Sequence, residues 1–248
     1  MLQNQTALVT GGGRGIGAAT AAALSRAGAK VIIADLDLSL ANATAASITA
    51  EGGNASAYQL DVADRQAVTE LAALLAANHD PVSILVNNAG IVGHLPIDDP
   101  KLMELWDREI SVNLTSVLFV TRVFLKPLRE TKGAVVNLAS VASYQAVTGG
   151  YGYQASKAGV KMLTQTLARE LGADGVRVNA VAPGVINTDM SAQVIADPIW
   201  LAKQMSRIPL ERVGAAADVA DAIIFLCSDM SRYITGVILP VDGGFLAV

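Results

Sequence analysis

Short apolar runs recur along the chain, each ending in polar or turn-forming residues. Ala7-Leu8-Val9 runs into a glycine cluster, Val31-Ile32-Ile33-Ala34 into Asp35, and Ala57-Tyr58-Gln59-Leu60 into Asp61. Ile84-Leu85-Val86 then ends at Asn87, Val135-Val136-Asn137-Leu138 near Ser140, Val178-Asn179-Ala180-Val181 at Pro183, and Val237-Ile238-Leu239 comes last. Between most of them lie Ala- and Leu-rich stretches with helical spacing, such as Val68, Leu71, Leu74 and Leu75. Strands alternating with helices predict right-handed crossovers and a parallel sheet. No Pro/Ser-rich linker, repeat or low-complexity block divides residues 1–248. The expected fold is a single α/β domain, a Rossmann-like doubly wound parallel sheet flanked by helices on both faces. Ligands of such sheets bind beyond the carboxyl ends of the strands, where the polar residues just named fall.

Composition narrows the class. Hydrophobic residues make up 52% and charged residues 16%, which argues against disorder, and the 22 glycines with few aromatics suit buried strands under close-packed helices. A net charge of −4 with scattered Lys and Arg offers no basic surface for nucleic acid or anionic membrane. Cys227 is the only cysteine, so neither an internal disulfide nor a multi-cysteine metal site is expected, and no metal is assigned. With Gln3, Asn4 and Gln5 near the start and no uninterrupted apolar stretch of spanning length, the expectation is a soluble, cytoplasmic protein.

Thr10-Gly11-Gly12-Gly13-Arg14-Gly15-Ile16-Gly17 follows the first strand and opens an Ala-rich helix. Glycines there let the backbone turn sharply and approach a pyrophosphate, which the helix N-terminus stabilises. Asp35, at the end of the second strand, can accept hydrogen bonds from an adenosine ribose and would repel a 2′-phosphate. Arg14 points the other way, since its guanidinium could pair with that phosphate. Asp35 is weighted more heavily, so NAD is favoured over NADP.

Tyr153 and Lys157 stand four residues apart in a segment that runs on helically through Val160, Leu163 and Leu167, which puts both on one face. A phenol is a poor base at neutral pH, and a nearby ammonium favours its anion. Lowering a phenol pKa by about three units takes roughly 4 kcal/mol, within reach of a lysine plus an oxidised nicotinamide in a desolvated cleft.

With this pair in place the whole chain resembles the short-chain dehydrogenase/reductase family. The family pattern T-G-x-x-x-G-x-G matches Thr10, Gly11, Gly15 and Gly17, although Gly13 to Ala18 also fits G-x-G-x-x-A. In order follow Asp61-Val62, Asn87-Asn88-Ala89-Gly90, Asn113, Ser140, Tyr153-Gln154-Ala155-Ser156-Lys157, Pro183-Gly184, Thr188 and Val241-Asp242-Gly243-Gly244. The resemblance implies a catalytic set of Asn113, Ser140, Tyr153 and Lys157. Tyr153 would act as general acid or base, and Ser140 as a donor to the substrate oxygen. Lys157 would hold the nicotinamide ribose, and Asn113 would interrupt a helix and link the lysine through water to solvent. It further implies a cofactor surface in which Gly11, Arg14, Gly15, Ile16 and Gly17 cradle the pyrophosphate. Asp61 and Val62 would flank the adenine, Asn88, Ala89 and Gly90 the adenosine ribose, and Ile186 and Thr188 beyond Pro183-Gly184 the carboxamide.

The substrate walls are expected from Val92 to Leu95, Val141 to Tyr151 and a helical stretch from Met190 to Met205. These supply Tyr144, Val147, Tyr151, Met190, Ile195 and Trp200, with His94 and Gln145 as polar exceptions; His94, Gln145, Tyr151 and Met190 are the named substrate contacts. Such a lining suits a medium-sized secondary alcohol or ketone. One rival within the family is an NADPH-dependent 3-oxoacyl-[acyl-carrier-protein] reductase, against which Asp35 and Asp174 weigh; sugar or polyol oxidation stays open as well, although the lining is too apolar to suit a polyhydroxylated substrate. A nucleotide-sensing protein or a methyltransferase could share the glycine turn but would have no use for Tyr153, Lys157, Ser140 and Asn113 together. The family usually forms tetramers, here implied through Leu114 to Leu128 and Tyr153 to Leu171. The apolar Phe245-Leu246-Ala247-Val248 hints at burial against a neighbour.

Overall fold

The computed structural model describes residues 1–78, 81–146 and 150–248. Its first half alternates β1 (Thr6–Thr10), α1 (Gly15–Arg26), β2 (Lys30–Asp35), α2 (Leu38–Ala50), β3 (Ala55–Gln59), α3 (Arg65–Ala77) and β4 (Ile84–Asn87). A long irregular helix follows: α4 (Leu102–Ile110), a π-helical turn over Ser111–Thr115, α5 (Ser116–Val123) and α6 (Leu125–Thr131). Then come β5 (Ala134–Leu138), α7 (Tyr151–Leu171), β6 (Arg177–Pro183), the short β7 (Ile186–Asn187), α8 (Asp189–Ile195) and α9 (Pro198–Met205). The short β8 (Gly214–Ala215), α10 (Ala216–Cys227) and β9 (Ile238–Val241) complete the chain.

Seven strands form one parallel sheet in the order β3-β2-β1-β4-β5-β6-β9, and β7 pairs with β8 apart from it. The order reverses between β1 and β4, which opens a crevice at their carboxyl ends. The strand alternation explains the burial on both sides. Ala7, Val9, Val31, Ile33, Ile84 and Val86 face the layer of α1, α2 and α10, where they meet Leu24, Ile48, Ile223 and Leu226. Leu8, Ile32, Leu85, Val135 and Val178 face the other layer, against Leu71, Leu75, Phe124, Leu128, Leu167 and Leu171. Because successive residues point to opposite faces, a strand covered on both sides is apolar except where a buried polar side chain finds a partner.

Buried amides fix the sheet to the helices that carry the site. Asn87 Nδ2 donates to Asn137 Oδ1 at 2.9 Å and to Thr121 Oγ1 at 3.1 Å, and Asn137 Nδ2 donates to Thr164 Oγ1 at 3.0 Å. This chain of satisfied polar groups joins β4, β5, α5 and α7, and an unmatched register would leave amides buried without partners.

Several local expectations are corrected. Leu74 is largely exposed, and the buried stripe of α3 is Val68, Leu71 and Leu75. The stretch Leu114 to Leu128 is not one helix, because the chain bends by 58° at Phe124. Pro127 lacks the N–H that would bond the Val123 carbonyl, so α5 ends there and α6 starts anew. The stretch Met190 to Met205 likewise splits into α8 and α9. Asp197 caps the second, accepting from the Ile199 and Trp200 N–H groups at 2.9 and 3.3 Å, and Pro198 opens it. Phe245 is buried within its own chain, against Val141 and Ile208, while Val248 is exposed. No single helix among the described residues is long and apolar enough to cross a membrane.

Candidate active site

Two tight glycine turns after β1 build one wall of the crevice. Gly11 and Gly15 have φ of +61° and +53°, a region open to glycine and costly for other residues. A Cβ at Gly17 would lie 2.0 Å from the Gly11 carbonyl oxygen, so only glycine lets the loop fold back onto the start of α1. Gly13 instead sits beneath Leu40 and Asp35, off the cleft. The T-G-x-x-x-G-x-G reading is therefore the one that shapes the surface. The residue that precedes α1, Arg14, makes no side-chain cap, so the first N–H groups of the helix face the cleft as an anion-binding end. The loop after β4 is stitched onto this turn. Thr10 Oγ1 accepts from the Asn88 and Ala89 N–H groups, and Asn88 Nδ2 donates to the Thr10 and Gly11 carbonyls at 2.9 and 2.8 Å.

Asp35 stands at the cleft margin. Its carboxylate accepts from the Gly13 and Asp37 N–H groups at 2.8 and 3.0 Å, which fixes the negative charge at the end of β2. Asp37 is held below the usual carboxylate range, chiefly by the Ser39 hydroxyl and the N–H groups of Ser39 and Leu40, with the Arg14 charge adding a smaller effect.

The other end of the crevice carries the reactive groups. Ser140 ends the extended backbone after β5, and its Oγ accepts from the Ala142 N–H at 3.1 Å while its own N–H donates to Ser143 Oγ at 3.3 Å. Ser143 Oγ in turn donates to the Lys157 carbonyl at 2.8 Å, which ties this turn to α7. Lys157 is 5% exposed, and its Nζ donates to the Leu138 carbonyl at 2.7 Å. Burial lowers its pKa to about 8. The same Nζ lies 5.7 Å from the centroid of the Tyr153 ring. Burial raises the Tyr153 phenol above its ordinary value, a hydrogen bond from the Ser140 side chain works against that, and the negative charge of Glu109 reinforces it. In the free protein the lysine therefore does not bring the phenol into the neutral range: its ammonium is directed to Leu138 and is itself weakened by burial.

Asn113 lies fully buried in the π-helical turn, off the cleft surface. Its Oδ1 accepts from the Ile91 N–H and its Nδ2 donates to the Ile91 carbonyl, both at 2.8 Å, with a further bond to Ser156 Oγ at 3.2 Å. The helix widens into a π turn around it without ending, and its side chain braces the loop that follows Gly90.

Gly11, Arg14, Gly15, Ile16, Gly17, Asp35, Asp61, Val62, Asn88, Ala89 and Gly90 share one cleft of about 640 Å³ with Ser140, Tyr153, Lys157, Pro183, Gly184, Ile186 and Thr188. Of the anticipated substrate contacts, His94 and Met190 line it, joined by Trp200, Gln204 and Phe245. Gln145 and Tyr151 do not, among the described residues. Gln145 Oε1 accepts from Arg207, whose guanidinium stacks 4.1 Å from the Phe245 ring, and Tyr151 is exposed. Tyr144 is directed away as well, its hydroxyl donating to the Ile238 carbonyl. Val147 lies outside the described residues. Sequence reasoning passed over Glu109, a carboxylate 1% exposed beside Tyr153. Its signal was available, since Leu102, Leu105, Trp106 and Glu109 fall on one helical face and three of them are apolar.

A family model described as enoyl-(acyl carrier protein) reductase matches residues 11–246. The 3-oxoacyl-[acyl-carrier-protein] reductase of Synechocystis sp. is 42% identical, with 99% of this chain and 98% of that protein covered. The chain belongs to the short-chain dehydrogenase/reductase family. Another relative, the cyclopentanol dehydrogenase of Comamonas sp., is 35% identical over 99% of this chain and 98% of its own length. Among solved structures, a provisionally named NAD(P)-dependent gluconate 5-dehydrogenase of Beutenbergia cavernae with NADP at low occupancy superposes with a TM-score of 0.94. It is 38% identical, covering 100% of this chain and 98% of that one. As a short-chain dehydrogenase/reductase the chain is an oxidoreductase of a family that uses NAD(P). The glycine cradle, which a single Cβ would fill, and the uncapped start of α1 fit a dinucleotide pyrophosphate.

Proposed function

We propose that the protein interconverts a secondary alcohol and a ketone with NAD(H), Tyr153 exchanging the proton on the substrate oxygen. The observation that carries this reading is the meeting of Ser140, Tyr153 and Lys157 in the cleft that begins at the glycine turn. Bound nicotinamide supplies the hydride acceptor or donor. The Tyr153 phenolate accepts the alcohol proton during oxidation, and the phenol so formed returns it during reduction. Ser140 donates to the same oxygen as negative charge builds on it: its Oγ accepts from Ala142 N–H, and the proton it gives to Tyr153 in the free protein can turn to the substrate oxygen beside it. Lys157 has two N–H bonds beyond the one to Leu138 with which to hold a ribose. Asn113 acts through the Gly90–Ile91 loop as a brace.

Asp35 favours NAD, since its fixed carboxylate would meet a 2′-phosphate charge to charge. Part of the opposing Arg14 charge faces Asp37. Val92, Val141, Met190, Trp200 and Phe245 give the substrate end an apolar wall, suited to a compact alcohol with few hydroxyls. An NADPH-dependent 3-oxoacyl-carrier reductase is the second reading, favoured by the Synechocystis relative. Against it stands Arg129, bonded to Asp174 at 2.7 Å, so that this surface offers an acidic carrier a neutralised pair.

Nicotinamide absorbance at 340 nm tests the proposal, with NAD and NADP offered separately against secondary alcohols, sugars and 3-oxoacyl thioesters. Turnover with NAD and an apolar alcohol is expected, falling by about a thousandfold in Tyr153→Phe, the scale of a lost general acid or base. Turnover confined to NADPH and a thioester would replace this reading with the second one.

A further inference from the structure

Helix α4 turns one acid inward. Glu109 occupies a position on the face shared by Leu102, Leu105 and Trp106, and it is 1% exposed. Its Oε1 accepts from the Gly93 N–H at 2.8 Å. Its Oε2 lies against the first turn of α7, where a methyl group added at Gly152 would come within 2.6 Å of it. One carboxylate thus touches the loop that leads into His94, a wall of the substrate cleft, and the backbone next to Tyr153. Burying a carboxylate is costly, and an apolar side chain at this place would fill the same space without that cost. The acid therefore needs a reason beyond packing.

We propose that Glu109 is a positioning residue of this site, holding the Gly93–His94 wall against the start of α7 and placing a negative charge behind Tyr153. The proposal rests on Tyr153 being the proton-transfer group. The charged and titratable groups that share the cleft with the phenol are Lys157 from α7, His94 from the loop after β4, Arg108 from α4 and Asp189 from α8, with Arg14, Asp35 and Asp61 toward the glycine turn; Glu109 lies behind the phenol, and Asp107 is exposed to solvent. Removing the negative charge favours the phenolate, so alcohol oxidation should reach its plateau at lower pH.

Two variants separate the roles. Glu109→Gln retains an oxygen that can accept from Gly93 and loses the charge; the acid limb of the kcat/KM profile for alcohol oxidation should move about half a pH unit lower, the scale of one charge acting across a partly wet cleft. Glu109→Leu removes the acceptor, leaves the Gly93 N–H without its partner, and should raise KM for the alcohol by about tenfold with KM for NAD changed less than twofold. An acid limb that stays in place in Glu109→Gln, or an unchanged alcohol KM in folded Glu109→Leu, overturns the proposal. Thermal melting monitors folding, and if Glu109→Leu fails to fold the limb in Glu109→Gln decides alone. Full activity in Tyr153→Phe would instead remove the proposed function on which this inference rests.

Discussion

Lys157 shows how a single residue can serve a site at the expense of the fold. Its pKa of about 8 against an ordinary 10.5 corresponds to about 3 kcal/mol of unfavourable burial. The sign follows from where the proton is held. Below pH 8 the lysine is protonated whether folded or unfolded, and the native state carries the whole cost. Between about 8 and 10.5 the native lysine is neutral while the unfolded chain still binds a proton, so this contribution to stability rises with pH. Lys157→Met should therefore melt several degrees higher than the parent at pH 7 without cofactor, and the gap should narrow as pH approaches 10.5. Turnover should be lost throughout. Thermal melts across pH 7 to 10.5 check this, and a gap that widened with pH would contradict the assignment.

At the scale of elements, the turn after β5 matters because it sets Ser140 against α7 through one hydroxyl. Ser143 Oγ accepts from Ser140 N–H and donates to the Lys157 carbonyl, so a side chain that does not line the cleft aligns two that do. Ser143→Ala should lower kcat about tenfold, a loss of about 1.4 kcal/mol from misalignment, while KM for NAD stays within twofold. Steady-state kinetics with both substrates varied would expose the opposite pattern. This link was not legible in the sequence, where Ser143 is one more small residue near a strand end. The strands were legible, because β1, β2, β4, β5 and β6 are apolar on both faces and end in residues of a different kind. The breaks in the helices were harder to see. Pro127 and Pro198 mark them in the sequence, yet the apolar spacing on either side continues as though the helix did. Glu109 escaped for a related reason: its place on the apolar face with Leu102, Leu105 and Trp106 was outweighed by the expectation that an acid in an amphipathic segment is solvated, and the approach of Gly93 and Gly152 from other elements shows that this one is not.

For the whole molecule, the helix that brings Tyr153 and Lys157 to the cleft, α7, and the α5 segment packed beside it leave apolar side chains on their outer faces. Leu118 on α5 is 47% exposed and Met162 on α7 is 61% exposed, on neighbouring segments whose inner sides are anchored to the sheet by the Asn87–Asn137–Thr164 chain. Helices so fixed cannot rotate these residues inward, so any relief of their exposure must come from another molecule. In the carboxyl-terminal segment Phe245 is consumed by its own core, and only Ala247 and Val248 are left exposed to meet a neighbour. A homotetramer joined through α5 and α7 is the arrangement we propose, and light scattering should give close to four times the chain mass of 25.6 kDa. The paired substitution Leu118→Glu with Met162→Arg alters no residue in the cleft and should halve or quarter that mass. If the site depends on the assembly only through the rigidity of α7, the smaller species will retain NAD binding and lose melting temperature. A parent protein that runs as a monomer would show instead that the sheet-side anchors alone hold Tyr153 in place.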